Sequence, residues 1–309
     1  MKGLGDLTRP FELPSLEWYL PTTDGRCQIY VKEIGEGAPV IALHGGFGHD
    51  HGYFVRAFEG LDPIYCFIFY DQRGSLRSPA PLEAITFDNH IEDLELLRQE
   101  LGLQGVTLVG HSMGSLLAMA YQARYPDRVE NLVLVGPVAP RAPDSDEERK
   151  MHSEQASARV KWALRQEIED EIRKEGLDEE PLSARDRSLG DRLRFGAMQL
   201  AHIERWREIR GAGAFYNEPA GQAAERSIPA GFDFVPTLAR QRGAVTVITG
   251  THEYQDMGCR MISRTLEDLP NVRLEILPRA GHCSWVDQPQ LFKQALGKAL
   301  RRSTESRSS

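Results

Sequence analysis

Apolar residues in this chain gather into short runs separated by longer amphipathic stretches. The run "CQIYVKEIG" alternates apolar and polar positions, as a strand with one exposed face does. "PVIALHGG", "YCFIFYDQRG", "VTLVGHS", "NLVLVGPV" and "AVTVITG" are nearly continuous and rich in β-branched residues. Such runs suit strands covered on both faces of a parallel sheet. "LEWYLPT" near the start and "VRLEILP" over 272–278 complete a predicted set of eight strands. Between the runs lie helical patterns, among them "TFDNHIEDLELLRQELG", "MGSLLAMAYQARYP" and "QPQLFKQALGKALRR". The first opens at Thr86, carries Asp88 and Asn89 in its first turn, and stops at Gly102. Alternation of strand and helix implies right-handed crossovers, so the expected class is α/β, a mostly parallel eight-stranded sheet with helices on both faces.

The rhythm breaks between Pro137 and Pro140. Residues 141–225 are charged and helical, and "VPTLARQRGAVTVITG" then resumes the α/β pattern. Trp162, Phe195, Trp206, Phe215 and Tyr216 are too many aromatics for a purely solvated appendage. The expected organisation is a core of residues 1–140 and 226–309, with 141–225 inserted after the sixth strand as a helical cap.

Composition narrows the classes of function. The chain has 309 residues, enough for a large core, and 37 basic against 45 acidic residues give a net charge of −8. Nothing in that balance calls for nucleic acid or an anionic membrane as partner. The first residues lack the apolar segment of a signal peptide, and no run approaches the roughly 20 apolar residues that span a bilayer. A cytoplasmic protein is expected, with oligomeric state left open. Four cysteines, Cys27, Cys66, Cys259 and Cys283, are widely spaced and read as reduced thiols.

The chemistry concentrates where strands end. Gly110-His111-Ser112-Met113-Gly114 is a G-x-S-x-G string directly after a buried run and directly before a helix. In that context the glycines permit a sharp bend, and Ser112 is held exposed at the strand edge as a nucleophile. The Met113 N–H, at the helix N-terminus, is placed to stabilise an oxyanion. A serine hydroxyl needs a base and an orienting acid. His282, in "LPRAGHCSWVDQP" after the last strand, is the candidate base, and His111 is expected to pack locally. A second oxyanion donor is expected from "HGGFG", from Gly46 or Phe47, with Gly46 preferred. His44, His49 and His51 lack metal-ligand spacing, so neither a metal nor a cofactor is expected. Asp71 and Arg73 are expected to tie loops together as a charge-assisted pair.

"HGGFG", "DQRGSLRSP", "GHSMGS" and "AGHCSWVDQP", in this order, resemble the α/β-hydrolase superfamily, and within it proline-iminopeptidase-type serine hydrolases. The resemblance covers nearly the whole chain and implies a helical cap over the site. Phe47 stands where the family has the proline of HGGPG, and Leu76 where it has the second glycine of DQRGxG. The elbow has the common esterase form. The family's G-x-x-D string, counted from Gly250, places Glu253 as the triad acid. Asp256 is the alternative, or an acid elsewhere such as Asp144, and His252 is a bystander. The resemblance also implies acids that hold a substrate amine. Glu204 and Glu208 beside Trp206 are candidates, against a reading as an exposed helix stripe. Tyr254 occupies a position where some relatives carry such an acid. Phe47, Tyr254 and Trp206 complete the expected substrate contacts.

The expected function is a serine hydrolase acting through an acyl-enzyme on a small molecule or short peptide, as an iminopeptidase-like aminopeptidase or amidase. An esterase, lactonase or carbon–carbon-bond hydrolase on the same triad is the alternative. A hydrolase-fold binding protein with little turnover is the alternative of another class.

Overall fold

A computed structural model describes residues 15–61, 63–142, 154, 166–183, 186–187, 189–190, 193, 199–202, 205, 216–256 and 258–305, with 166–167 and 302–305 by backbone alone. Eight strands form one sheet: β1 Ser15–Pro21, β2 Gln28–Ile34, β3 Ala38–Leu43, β4 Tyr65–Tyr70, β5 Val106–His111, β6 Val129–Val135, β7 Ala244–Gly250 and β8 Val272–Leu277. Their order is β1-β2-β4-β3-β5-β6-β7-β8. β2 runs antiparallel to β1 and β4, and every other pairing is parallel.

The period-2 side-chain alternation of the central strands divides the core into two layers. Ile41 and Leu43, Leu108, Leu132 and Leu134 face one side and pack with the helices α2 (Phe87–Glu100) and α3 (Met113–Arg124), which follow the short helix α1 (Gly52–Val55). Val40 and Ala42, Val109, Val133 and Val135 face the other. There they meet the C-terminal helix Pro289–Glu305 through Phe292, Leu296 and Leu300. Each fully buried Val, Leu, Ile or Phe in these layers contributes about 1.5–3 kcal/mol over an exposed one. β8, paired on one side only, is half-buried along most of its length. α2 begins as its sequence indicates, with the Thr86 hydroxyl accepting the Asn89 N–H at 3.2 Å.

Polar groups are buried where the loops at the strand ends need fixing. Arg73 grips Asp93 of α2 with two parallel bonds of 2.9 and 2.7 Å, and reaches Asp24 at 2.7 Å. Asp71 bonds instead to the His51 ring at 2.6 Å and to Arg77 at 3.1 Å. The expected Asp71–Arg73 pair therefore does not form. Asp71 still follows the strand direction toward the loop at His51, whereas Arg73, in the turn beyond, is carried round to α2.

Between residue 141 and the resumption of the strands, the described residues include the helices Gln166–Lys174 and Glu218–Arg226, the second running one residue past the expected cap boundary at 225. Ile168, Ile172, Leu177 and Leu193 form a small core of their own. Ala220 and Ala224 of the second helix join the main core. Among the described residues no helix is long and apolar enough to cross a membrane.

One buried group gives the fold a measurable pH response. His90 of α2 is 1% exposed, stacked on Phe47 at a centroid distance of 4.9 Å. Burial first, then the charge of Arg73, pushes its pKa from 6.5 down to about 3. The folded chain keeps this ring neutral in the interval where the unfolded chain protonates it. Stability is thus fully present above pH 6.5 and falls as pH drops from 6.5 toward 3. One such group contributes a slope of about 1.4 kcal/mol per pH unit. Urea unfolding at pH 6.5, 5.5 and 4.5 should show that slope reduced by this amount in His90→Gln; an unaltered slope would count against the assignment.

Candidate active site

The carboxyl ends of β3, β5, β6, β7 and β8 lie along one edge of the sheet, the edge where an open α/β sheet usually binds its ligand. At the end of β5 the chain turns directly into α3, and Ser112 between them has φ 52° and ψ −121°. Side chains seldom tolerate this region, which costs of order 1–3 kcal/mol. The neighbouring glycines make the bend sterically feasible. A Cβ on Gly110 would lie 2.5 Å from the Gly114 carbonyl oxygen, and one on Gly114 would lie 2.3 Å from that of Leu43. Ser112 is 7% exposed, and its hydroxyl has no hydrogen-bond partner among the described residues. The Met113 N–H at the first turn of α3 likewise meets no acceptor there.

Beyond β7, the Glu253 N–H closes a turn on the Gly250 carbonyl at 3.0 Å. This aims the Glu253 carboxylate at His282, whose Nδ1 lies 2.9 and 3.0 Å from its two oxygens. Both residues are buried, at 2% and 3% exposure. Gly136, at the end of β6 with φ 47°, leaves the space they occupy. A Cβ there would lie 3.0 Å from both Glu253 Oε2 and His282 Nδ1. Asp287 fixes the loop that carries His282 by accepting the Gly281 N–H at 2.8 Å, and it also accepts the Ala201 and His202 N–H groups at 2.8 and 3.1 Å. The Tyr254 ring meets His282 edge to face at 4.8 Å.

Asp256 lies a second turn away. Its N–H bonds to the Glu253 carbonyl at 3.2 Å. Its carboxylate accepts the N–H groups of Met261 and Ile262 at 3.0 and 2.8 Å, capping the helix Arg260–Leu266. His252 bonds to Thr251 at 3.0 Å and gives its N–H to the Ala280 carbonyl.

The loop after β3 faces the elbow. A Cβ on Gly45 would lie 2.7 Å from that of Ser112. The Gly45 N–H is taken by the Tyr53 hydroxyl at 2.6 Å, whereas those of Gly46 and Phe47 meet no acceptor among the described residues. Gly46 has φ 60° with the His49 ring against it. The Phe47 side chain, expected to contact substrate, is instead 1% exposed and packed between His90 and Phe87. An aromatic ring at this position gains more by stacking in the core than a proline could, so only the Phe47 backbone remains available to a ligand.

Asp50, His51 and Asp71 bring three potential ligand atoms within 4.8 Å of one another. A cation already serves them: Arg77 lies 3.1 Å from Asp71 and 4.0 Å from Asp50. Burial works to raise the Asp71 carboxyl, but hydrogen bonding and charge from His51 outweigh it and hold the group at about 2.

Trp206, Glu204, Glu208 and Asp144 lie outside the described residues. The structure adds three residues that sequence reasoning left without a role: Tyr53, Gly136 and Asp287. The "HCSWVDQP" string around Asp287 is the signal that could have marked it; Tyr53 lies in no such string.

A model of the α/β hydrolase fold matches residues 38–186. A proline iminopeptidase of Lactobacillus delbrueckii subsp. lactis is 26% identical over 303 residues, covering 92% of this chain and 97% of that enzyme. A proline iminopeptidase-related protein of Thermus thermophilus superposes with a TM-score of 0.68 at 23% identity, over 94% of this chain and 98% of its own. An esterase of Exiguobacterium antarcticum superposes with a TM-score of 0.66 at 20% identity, over 93% and 100%. By sheet order, elbow and these likenesses, the chain is an α/β-hydrolase-fold protein similar in sequence to proline iminopeptidases.

Proposed function

We propose that the chain is a serine hydrolase working through an acyl-enzyme, with Ser112 as nucleophile, His282 as base and Glu253 as the acid that orients it. The observation that carries this reading is the buried Glu253 carboxylate on His282 Nδ1, at 2.9 and 3.0 Å, beside a strained serine elbow. The carboxylate holds the tautomer with hydrogen on Nδ1, leaving Nε2 to take the Ser112 proton. The Ser112 oxygen pair then forms a bond to the substrate carbonyl carbon, and that carbon's π pair moves to oxygen. The Met113 and Gly46 N–H groups receive this oxyanion. As it collapses, the leaving group departs with the proton from His282. Water repeats the sequence and frees Ser112. The serine–histidine hydrogen bond closes when substrate aligns the hydroxyl, as catalytic hydrogen bonds often do.

The sequence likeness to proline iminopeptidases favours small amides with a free N-terminal amine, held beneath a cap formed from 141–225. The esterase reading has support of its own. Tyr254, an uncharged phenol, packs on His282, and the fold neighbours include an esterase. Comparing prolyl p-nitroanilide, its N-acetyl derivative and a p-nitrophenyl ester discriminates between the two. The first reading expects turnover of the free-amine anilide and its loss on acetylation. Ester turnover without anilide turnover would transfer the assignment to the esterase.

A further inference from the structure

We infer that Tyr53 is a positioning residue, holding the oxyanion loop against the nucleophile elbow through a hydrogen-bond chain that runs from Gly45 to His282. This rests on the acyl-enzyme reading and extends it to a residue outside the triad and the oxyanion donors.

Tyr53 lies in a single helical turn, Gly52–Val55, that follows the oxyanion loop. Its hydroxyl accepts the Gly45 N–H at 2.6 Å and lies 2.6 Å from His111 Nδ1. The other nitrogen of His111 lies 3.3 Å from the His282 carbonyl oxygen. Only one arrangement of hydrogens satisfies every member. A carbonyl cannot donate, so His111 Nε2 must carry hydrogen toward His282. Burial, with the nearby His282 ring, pushes the His111 pKa well below its ordinary value, so the ring is neutral and Nδ1 is an acceptor. Tyr53 therefore donates to Nδ1, and its free lone pair receives Gly45. Burial also keeps the phenol protonated, by raising its pKa far above the usual range.

The chain crosses three loops that catalysis needs in register. Gly45 precedes the proposed donor Gly46, His111 precedes Ser112, and His282 is the proposed base. Gly45 packs so closely on Ser112 that its orientation sets where the next amide points. With its N–H fixed on Tyr53, the Gly45 amide is withheld from the oxyanion, leaving the amides after it for that task. The ring is itself held, against His111 at 5.5 Å and Trp285 at 6.2 Å.

The test compares Tyr53→Phe with wild type and Ser112→Ala on p-nitrophenyl acetate, with active sites counted by fluorophosphonate titration and folding checked by melting temperature. Tyr53→Phe should lower kcat by about 10- to 100-fold, with KM changed less than about threefold. Affinity for an alkyl boronic acid, whose tetrahedral adduct places oxygen in the hole, should fall by a similar factor. His111→Leu should lose as much, and His111→Gln, which retains one acceptor and one donor, should recover most of that loss. These His111 variants carry the test if Tyr53→Phe does not fold. Folded Tyr53→Phe with wild-type kcat and boronate affinity overturns the assignment, as does a loss confined to KM. Wild type that neither labels nor turns over ester overturns the acyl-enzyme reading itself, and Tyr53 with it.

Discussion

Ser112→Ala should lower kcat/KM by about 10⁵- to 10⁶-fold while leaving the melting temperature equal to or above that of wild type. The size follows from losing the bond-forming atom. Without the hydroxyl, His282 and the oxyanion amides can only assist direct attack by water, which leaves a small residual rate. The stability direction follows from the side chain, because alanine carries the same Cβ at φ 52° and leaves the backbone strain unchanged. The Ser112 hydroxyl, without a partner among the described residues, leaves no broken bond behind when removed. Steady-state kinetics and calorimetry on the same preparation check both halves. A large loss of stability would mean that the serine is structural.

The second large effect is expected at Glu253. Glu253→Gln preserves shape but presents an amide to His282 Nδ1, where the wild-type carboxylate accepts at 2.9 and 3.0 Å. The amide nitrogen can donate to Nδ1, which moves the ring hydrogen to Nε2, the atom that must accept from Ser112. A wrong tautomer of this kind costs about 10⁴ in kcat. Glu253→Asp retains the charge but withdraws the carboxylate by one methylene in a site shaped for the longer chain, so an intermediate loss is expected. Asp256→Asn provides the contrast. It weakens the cap of the helix Arg260–Leu266 and should lower stability by about 1 kcal/mol with kcat little changed. Kinetics of the three variants at one pH decide between the acids. A kcat collapse in Asp256→Asn with Glu253→Gln active would reverse the assignment.

What the chain disclosed by sequence depended on how local each cause was. The central strands were legible because burial on both faces demands continuous apolar runs such as 40–43 and 132–135. The elbow was legible because two glycines and a serine must occupy fixed offsets where strand meets helix. Which carboxylate meets His282 was harder to read, since Glu253 and Asp256 differ only by one further turn of backbone, and the hydrogen bonds from Glu253 N–H to Gly250 and from Asp256 N–H to Glu253 separate them. Asp71 and Arg73 were misread because neighbours in sequence at a strand end can be sent in opposite directions by the turn between them. Phe47 was misread because a loop aromatic beside a site can equally complete the core beneath it. Tyr53 escaped notice because its partners, Gly45 and His111, are brought together only by the parallel pairing of β3 with β5.

The most direct measurement is the mass of the intact protein, followed by peptide mapping, after brief exposure to a fluorophosphonate. The expected result is one adduct per chain on the peptide containing Ser112, absent in Ser112→Ala and formed at least about 10³-fold more slowly in His282→Ala. No adduct, an adduct on another residue, or labelling at the wild-type rate in His282→Ala would contradict a nucleophilic Ser112 activated by His282.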